Sequence, residues 1–151
     1  MLQSHYCFSG DIGTKNSLLL NAPSVLQEAD FLVMESTYGN RNHDDSSPKD
    51  ELANVIIDTL YAKGNLIIPS FAVGRAQEIM HLCNMLKKEI RIPPVPVYMD
   101  SPMGAAATHI LEKYPQWHKL TTEESNAVFN DINIITDYLS LIHISEPTRR
   151  S

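Results

Sequence analysis

Residues 47–113 read SPKDELANVIIDTLYAKGNLIIPSFAVGRAQEIMHLCNMLKKEIRIPPVPVYMDSPMGAAATHILEK, and their punctuation decides the fold. Ser47 is a good helix N-cap, Pro48 suits the first helical position, and Asp50 and Glu51 put negative charge at the positive end of the helix dipole. Leu52, Val55, Ile56 and Leu60 recur at helical spacing until Lys63-Gly64 ends the run. Leu66-Ile67-Ile68 predicts a strand stopped by Pro69. Residues 73–88 predict a second helix with Ile79, Leu82, Cys83 and Leu86 on one face. Pro93, Pro94 and Pro96 stiffen the way into a strand at Val97-Tyr98-Met99, which ends at Asp100. Ser101 then caps a third helix, with Pro102 at its first position, running to Lys113. Helix, strand, helix, strand, helix is the pattern of a parallel sheet with helical crossovers, an α/β architecture.

Outward from this stretch, Thr121 or Thr122 caps a fourth helix with Glu123 and Glu124 in its first turn. On the other side lies a polar loop at residues 38–48, where the composition shifts and a domain boundary is expected. Before it, Phe31–Glu35 forms an apolar run of strand length, and residues 6–10 predict a short buried strand. Gly10 and Gly13 flank Asp11 and permit a tight turn there.

The chain has 151 residues, of which 43% are hydrophobic, enough for a core in one domain. Its net charge of −6 argues against a protein that coats nucleic acid by general electrostatics. It does not argue against a nuclease, in which metals concentrate positive charge and need acidic groups to hold them. Cys7 and Cys83 form no CxxC pair and read as reduced, buried thiols of a cytoplasmic protein. No apolar run approaches the ~20 residues of a membrane span, and no secretion signal opens the chain.

In parallel α/β sheets, ligands gather at the carboxyl ends of strands. Four expected strand ends carry polar residues: Ser9-Gly10-Asp11, Glu35-Ser36-Thr37, Pro69-Ser70-Phe71 and Asp100-Ser101-Pro102. A helix begins after the third, where free N–H groups suit an anion, Arg75 offers a planar donor fork to phosphate, and Phe71 could stack on a base. The blander readings remain open at this point. Asp11 could be a turn aspartate, Ser101 is plainly a helix cap, and Arg75 could pair with an acidic neighbour such as Asp100. His43, followed by two aspartates, reads as a solvated surface histidine, and His81 and His109 read as structural.

Taken together and in order, FSGDIG at 8–13, MESTYGNR at 34–41, PSFAVGRAQE at 69–78 and MDSPM at 99–103 resemble the β-CASP nucleases of the metallo-β-lactamase fold, the group of messenger-RNA 3′-end endonucleases and ribonuclease J. The resemblance covers roughly residues 8–138. It implies that residues 1–40 are the C-terminal part of a metallo-β-lactamase segment and that 41–138 are a partial β-CASP domain with a parallel sheet and flanking helices. It makes Asp11 a metal ligand that bridges two zinc ions. It makes Glu35 a catalytic-site group that orients a histidine, fixing its tautomer so that it can protonate the leaving oxygen. Ser70, Phe71, Gly74, Arg75, Asp100 and Ser101 are then substrate-binding residues along a path for single-stranded RNA. The implied parent is a zinc-dependent ribonuclease acting in RNA processing, free of membrane, with a homodimer or an RNA-processing complex as the assemblies open to it.

The family's principal metal motif, HxHxDH, is absent. The six histidines are His5, His43, His81, His109, His118 and His143, and no two are separated by a single residue. The chain is accordingly expected to be truncated at both ends, to hold no zinc by itself and to cleave nothing. Residues 139–151 strengthen that expectation, since Leu139–Arg149 resembles a translated adapter from DNA library preparation; an ordinary disordered tail is the alternative. Two other functions stay open: a nucleotide- or RNA-binding module without chemistry, which lacks the GxGxxG and Walker patterns, and an inactive scaffold, against which the presence of both Asp11 and Glu35 counts.

Overall fold

The computed structural model describes residues 4–41 and 46–135. In chain order the elements are β1 (Tyr6–Phe8), β2 (Phe31–Val33), α1 (Pro48–Tyr61), α2 (Arg75–Lys88), β3 (Val97–Met99), α3 (Pro102–Lys113), a 3₁₀ turn (Pro115–Trp117), α4 (Thr122–Asn130) and β4 (Ile132–Ile134). The caps fall where the sequence puts them. The Ser47 hydroxyl accepts from the Asp50 N–H and that of Ser101 from the Gly104 N–H. Thr121 and Glu124 close a reciprocal capping box on α4.

The strands form two small parallel sheets. β1 pairs with β2, Tyr6 opposite Phe31 and Phe8 opposite Val33. β3 pairs with β4, Val97 opposite Ile132 and Met99 opposite Ile134. Between β3 and β4 the chain passes through α3 and α4, the helical crossover that parallel pairing requires. The short β4 went unread in the sequence. The strand expected at Leu66-Ile67-Ile68 does not form, because a strand exists only as paired backbone and no described segment pairs with these residues. β1 was expected to be buried, yet Tyr6 and Phe8 are exposed, since among the described residues only β2 lies beside it.

Two apolar clusters share α2 as their wall. Met80 joins Leu19, Met99, Leu111, Leu120, Val128 and Phe129 on one side. Cys83 and Leu86 join Ala53, Ile56 and Ile92 on the other. Met80 and Cys83, three positions apart, stand about 60° from each other around the helix axis, so adjoining strips of one broad buried face serve the two clusters. Lys49 to Glu89 at 2.8 Å and Arg91 to Asp50 at 2.6 Å tie the start of α1 to the end of α2. On α1 only Ala53 and Ile56 are buried, so Val55 and Leu60 of the expected apolar face stay exposed. Cys7 is half-buried and Cys83 buried, and both are free thiols. Among the described residues no helix is long and apolar enough to cross a membrane. His43 and the 139–151 tail lie outside the described residues.

Candidate functional site

The site begins at the ends of β1 and β2. Parallel pairing brings both carboxyl ends to the same edge, so Ser9-Gly10-Asp11 and Glu35 meet there. The Ser9 N–H extends the ladder to the Val33 carbonyl at 2.9 Å, and the Ser9 hydroxyl accepts from the Glu35 N–H at 3.0 Å. Gly10 and Gly13 then take φ of +57° and +71°. The left-handed region costs an L side chain free energy and costs glycine little, which explains both glycines around Asp11.

The Glu35 carboxylate reaches back across this turn. Its Oε1 accepts from the Ile12 N–H at 2.8 Å. The Ile12 N–H, then the Thr37 side chain and the Gly13 N–H, hold the carboxyl below its ordinary value. Among the described residues, the groups that engage the Glu35 carboxylate are therefore those of the Asp11 turn and Thr37. Asp11 itself is exposed.

Facing this turn is the loop that leads into α2. Gly74 takes φ +82° as the N-cap of that helix. Gln77, fully buried, holds the loop from beneath. Its Oε1 accepts from the Gly74 N–H at 2.8 Å. Its Nε2 donates to the Ala72 carbonyl at 3.0 Å, the Thr108 hydroxyl at 3.0 Å and the Gly104 carbonyl at 3.3 Å. One amide thus joins the 71–75 loop to the first turns of α3. Phe71 is left 86% exposed, and Arg75 donates to Glu78 at 2.9 Å from a largely exposed position.

A cleft of about 930 Å³ lies between the two loops. Asp11, Gly13 and Thr14 line it together with Phe71, Gly74 and Arg75. Residues Ser17 and Leu19–Asn21 contribute a further wall. Four of the expected site residues are therefore brought together: Asp11, Phe71, Gly74 and Arg75. Glu35 stands behind them through Ile12. Ser70 and Asp100 are exposed and do not line the cleft, and the Ser101 hydroxyl is engaged at the N-terminus of α3. Arg75 pairs with Glu78 on its own helix, not with Asp100.

Sequence reasoning missed Gln77. Its signal was present but disguised: a Gln at the third helical position is half of a capping box, whose other half is usually Ser or Thr and here is Gly74. It named Ser9 at a strand end without its bond to Glu35, and it missed the wall at residues 17–21, which shows no periodicity.

Zinc is the metal that the resemblance implies, and two ions need several imidazoles and carboxylates. Among the described residues no three His, Cys, Asp or Glu side chains converge to hold a metal. Asp11 supplies one carboxylate, so these residues do not fit two zinc ions by themselves.

A sequence model of the Beta-Casp domain matches residues 76–147. Ribonuclease TTHA0252 of Thermus thermophilus is 37% identical over 123 residues, covering 81% of this chain and 27% of the relative. The RNase J-like protein of Methanocaldococcus jannaschii is 35% identical over 130 residues, covering 83% of this chain and 30% of the relative. Transcription termination factor FttA of Thermococcus kodakarensis is 42% identical over 102 residues, covering 64% of this chain and 15% of the relative. The chain belongs to the β-CASP family of metallo-β-lactamase-fold proteins. It spans less than a third of the length of each of these relatives. The β-CASP match begins one residue after Arg75, so the cleft joins the start of that domain to the Asp11 turn that precedes it.

Proposed function

We propose that this chain is the substrate-facing part of a zinc-dependent RNA phosphodiesterase acting in RNA processing. The cleft carries the reading, because Asp11 lines it together with Phe71, Gly74 and Arg75 although some sixty residues separate the two groups in sequence. In the longer protein Asp11 is one of the carboxylates that a two-zinc site draws on, and the remaining ligands come from other parts of that chain. Glu35 keeps the Asp11 turn in one conformation, and the histidine that the family resemblance assigns to it would approach from outside the described residues. Phe71 offers a stacking face and Arg75 a charged donor fork, whereas the Gly74, Arg75 and Ala76 N–H groups at the start of α2 are already bonded within the loop. Relatives named as ribonucleases support RNA as the substrate. By itself the chain binds single-stranded RNA at this cleft and does not cleave it.

The test is binding of a labelled single-stranded RNA to the chain, followed by fluorescence anisotropy, with Arg75→Gln as the comparison. Loss of one charged phosphate contact should weaken binding by about tenfold, from the ~1.5–3 kcal/mol typical of hydrogen bonds to charged groups less the competition from Glu78. Equal affinity for the two proteins would remove Arg75 from the RNA path. Stoichiometric zinc with metal-dependent cleavage in this chain would overturn the statement that it is inactive alone.

A further inference from the structure

Tyr114 and Trp117 form a stacked pair, with ring centroids 4.7 Å apart and an interplanar angle of 15°. The turn that carries them explains the stack. The Trp117 N–H donates to the Tyr114 carbonyl at 3.1 Å, closing a 3₁₀ turn in which side chains three apart eclipse. Next in the chain, His118 points the other way, buried and edge-on to Phe129 at 6.3 Å. The turn is therefore anchored from behind while Trp117 stays 52% exposed. The Lys113 ammonium lies 5.9 Å from the Tyr114 ring centre.

This pair is joined to the cleft. The wall at residues 17–21 runs antiparallel to residues 116–119, with a bridge between Leu20 and His118. The Lys119 N–H donates to the Leu19 carbonyl at 2.9 Å, the Asn21 side chain to the Gln116 carbonyl at 2.8 Å, and the Lys119 ammonium to the Ser17 carbonyl at 2.8 Å. Paired backbones lie about 5 Å apart, so the stack begins one chain width beyond the cleft wall. A second exposed stack, Tyr6 on Phe31 at 4.7 Å, makes a useful contrast. It continues into exposed Phe8 and Val33, the next pair on the same side of the sheet, an apolar face suited to more protein. Beside Tyr114 and Trp117 stand the Lys113 ammonium and the Asn21 amide, one cation and one polar group.

We infer that the Tyr114–Trp117 stack is a second RNA contact, a platform for a nucleobase of the single strand as it leaves the cleft past Asn21. The inference rests on the reading of the cleft as an RNA path. An exposed aromatic plane with a neighbouring cation is the composition that holds unpaired bases without sequence preference. It also suits a chain of net charge −6, which gains little from general attraction to phosphates. Duplex RNA, whose bases are already stacked, does not engage the platform.

Trp117 is the sole tryptophan of the chain, so its emission reports on this site alone. Short oligouridylate should quench it saturably, at the same midpoint as the anisotropy of the labelled RNA, and a duplex of similar length should not. Trp117→Leu should weaken binding by about 5- to 150-fold, the range of base–aromatic stacking, while Trp117→Phe should stay close to the parent. Circular dichroism of both variants checks that the 3₁₀ turn tolerates them, and the titration of the unaltered chain needs no variant. If anisotropy rises while Trp117 emission stays flat and Trp117→Leu binds normally, the platform is overturned and the cleft reading stands. If no RNA binds at all, both fall.

Discussion

At the residue scale, Glu35 couples two strand ends that sequence alone keeps apart. Its carboxylate accepts the Ile12 N–H at 2.8 Å, and this bond crosses the glycine-flanked turn that presents Asp11. The ionised carboxylate makes the stronger acceptor, so its ordinary value of 4.5 is lowered in the folded chain. The sign of the pH effect follows. A carboxyl whose folded value is depressed contributes its stabilisation above the unfolded value and loses it as pH falls through the folded one. Between pH 7 and pH 5 the turn should be unaffected, and below about 4.5 it should begin to open, as linkage requires. Amide hydrogen exchange at Ile12 and Gly13 measures this directly. Glu35→Ala should bring both amides to fast exchange at neutral pH while the amides of α2 stay protected. Unchanged protection at Ile12 in that variant would mean that the two glycines fix the turn without help.

At the scale of elements, α2 holds the site together, and Gln77 is the residue through which it does so. Thr108 Oγ1 donates to the Gly104 carbonyl at 2.8 Å and accepts from Gln77, so the network is closed on every side. Gln77→Leu keeps the volume but leaves the Gly74 N–H and the Ala72 carbonyl short of a partner, while the Gly104 carbonyl keeps the Thr108 hydroxyl. Unsatisfied buried groups cost ~1–3 kcal/mol each, and partial relaxation brings the expected loss to about 2–4 kcal/mol in denaturant unfolding. A change under about 0.5 kcal/mol would show that water replaces the amide. The same elements show what the sequence made legible. Ser47, Ser101 and Thr121 each announced a helix, because caps and first-turn prolines are local signals that need no partner. The strands were harder, since pairing is a property of two segments. Leu66-Ile67-Ile68 has the composition of a strand and no partner among the described residues, while Ile132–Ile134 is short and acquires its identity only beside β3. The site residues divide in the same way. Asp11, Phe71, Gly74 and Arg75 could be named from their motifs, but the cleft that unites them depends on Ser9, Gln77 and residues 17–21, whose roles are set by distant contacts.

On the scale of the whole molecule, the described chain is apolar at one end in a manner that a free monomer rarely tolerates. Tyr6, Phe8, Phe31, Leu32, Val33 and Met34 are all more than half exposed, and they cluster on a two-stranded parallel sheet. Parallel strands are normally covered on both faces, and a two-stranded ribbon is marginal by itself. Among the described residues no strand lies beside either outer edge, and such an edge can recruit another strand. Among the described residues the other exposed apolar groups differ: Ile67 and Tyr61 stand outside any ladder, and on β3 and β4 Tyr98 and Ile134 are less than half exposed. The expected behaviour is concentration-dependent self-association through β1 and β2, visible by sedimentation velocity. Phe8→Lys with Val33→Lys places charge at a paired position of the ladder, Phe8 lying opposite Val33, and should shift the population toward monomer. The RNA cleft supplies the control. Phe8, Leu32 and Met34 also line it, so the same variants should be assayed for RNA binding. Monomer formation with binding retained would separate the assembly face from the RNA path. A parent chain that sediments as a monomer at every concentration would show that this face is tolerated in water and that its apolar character has another cause.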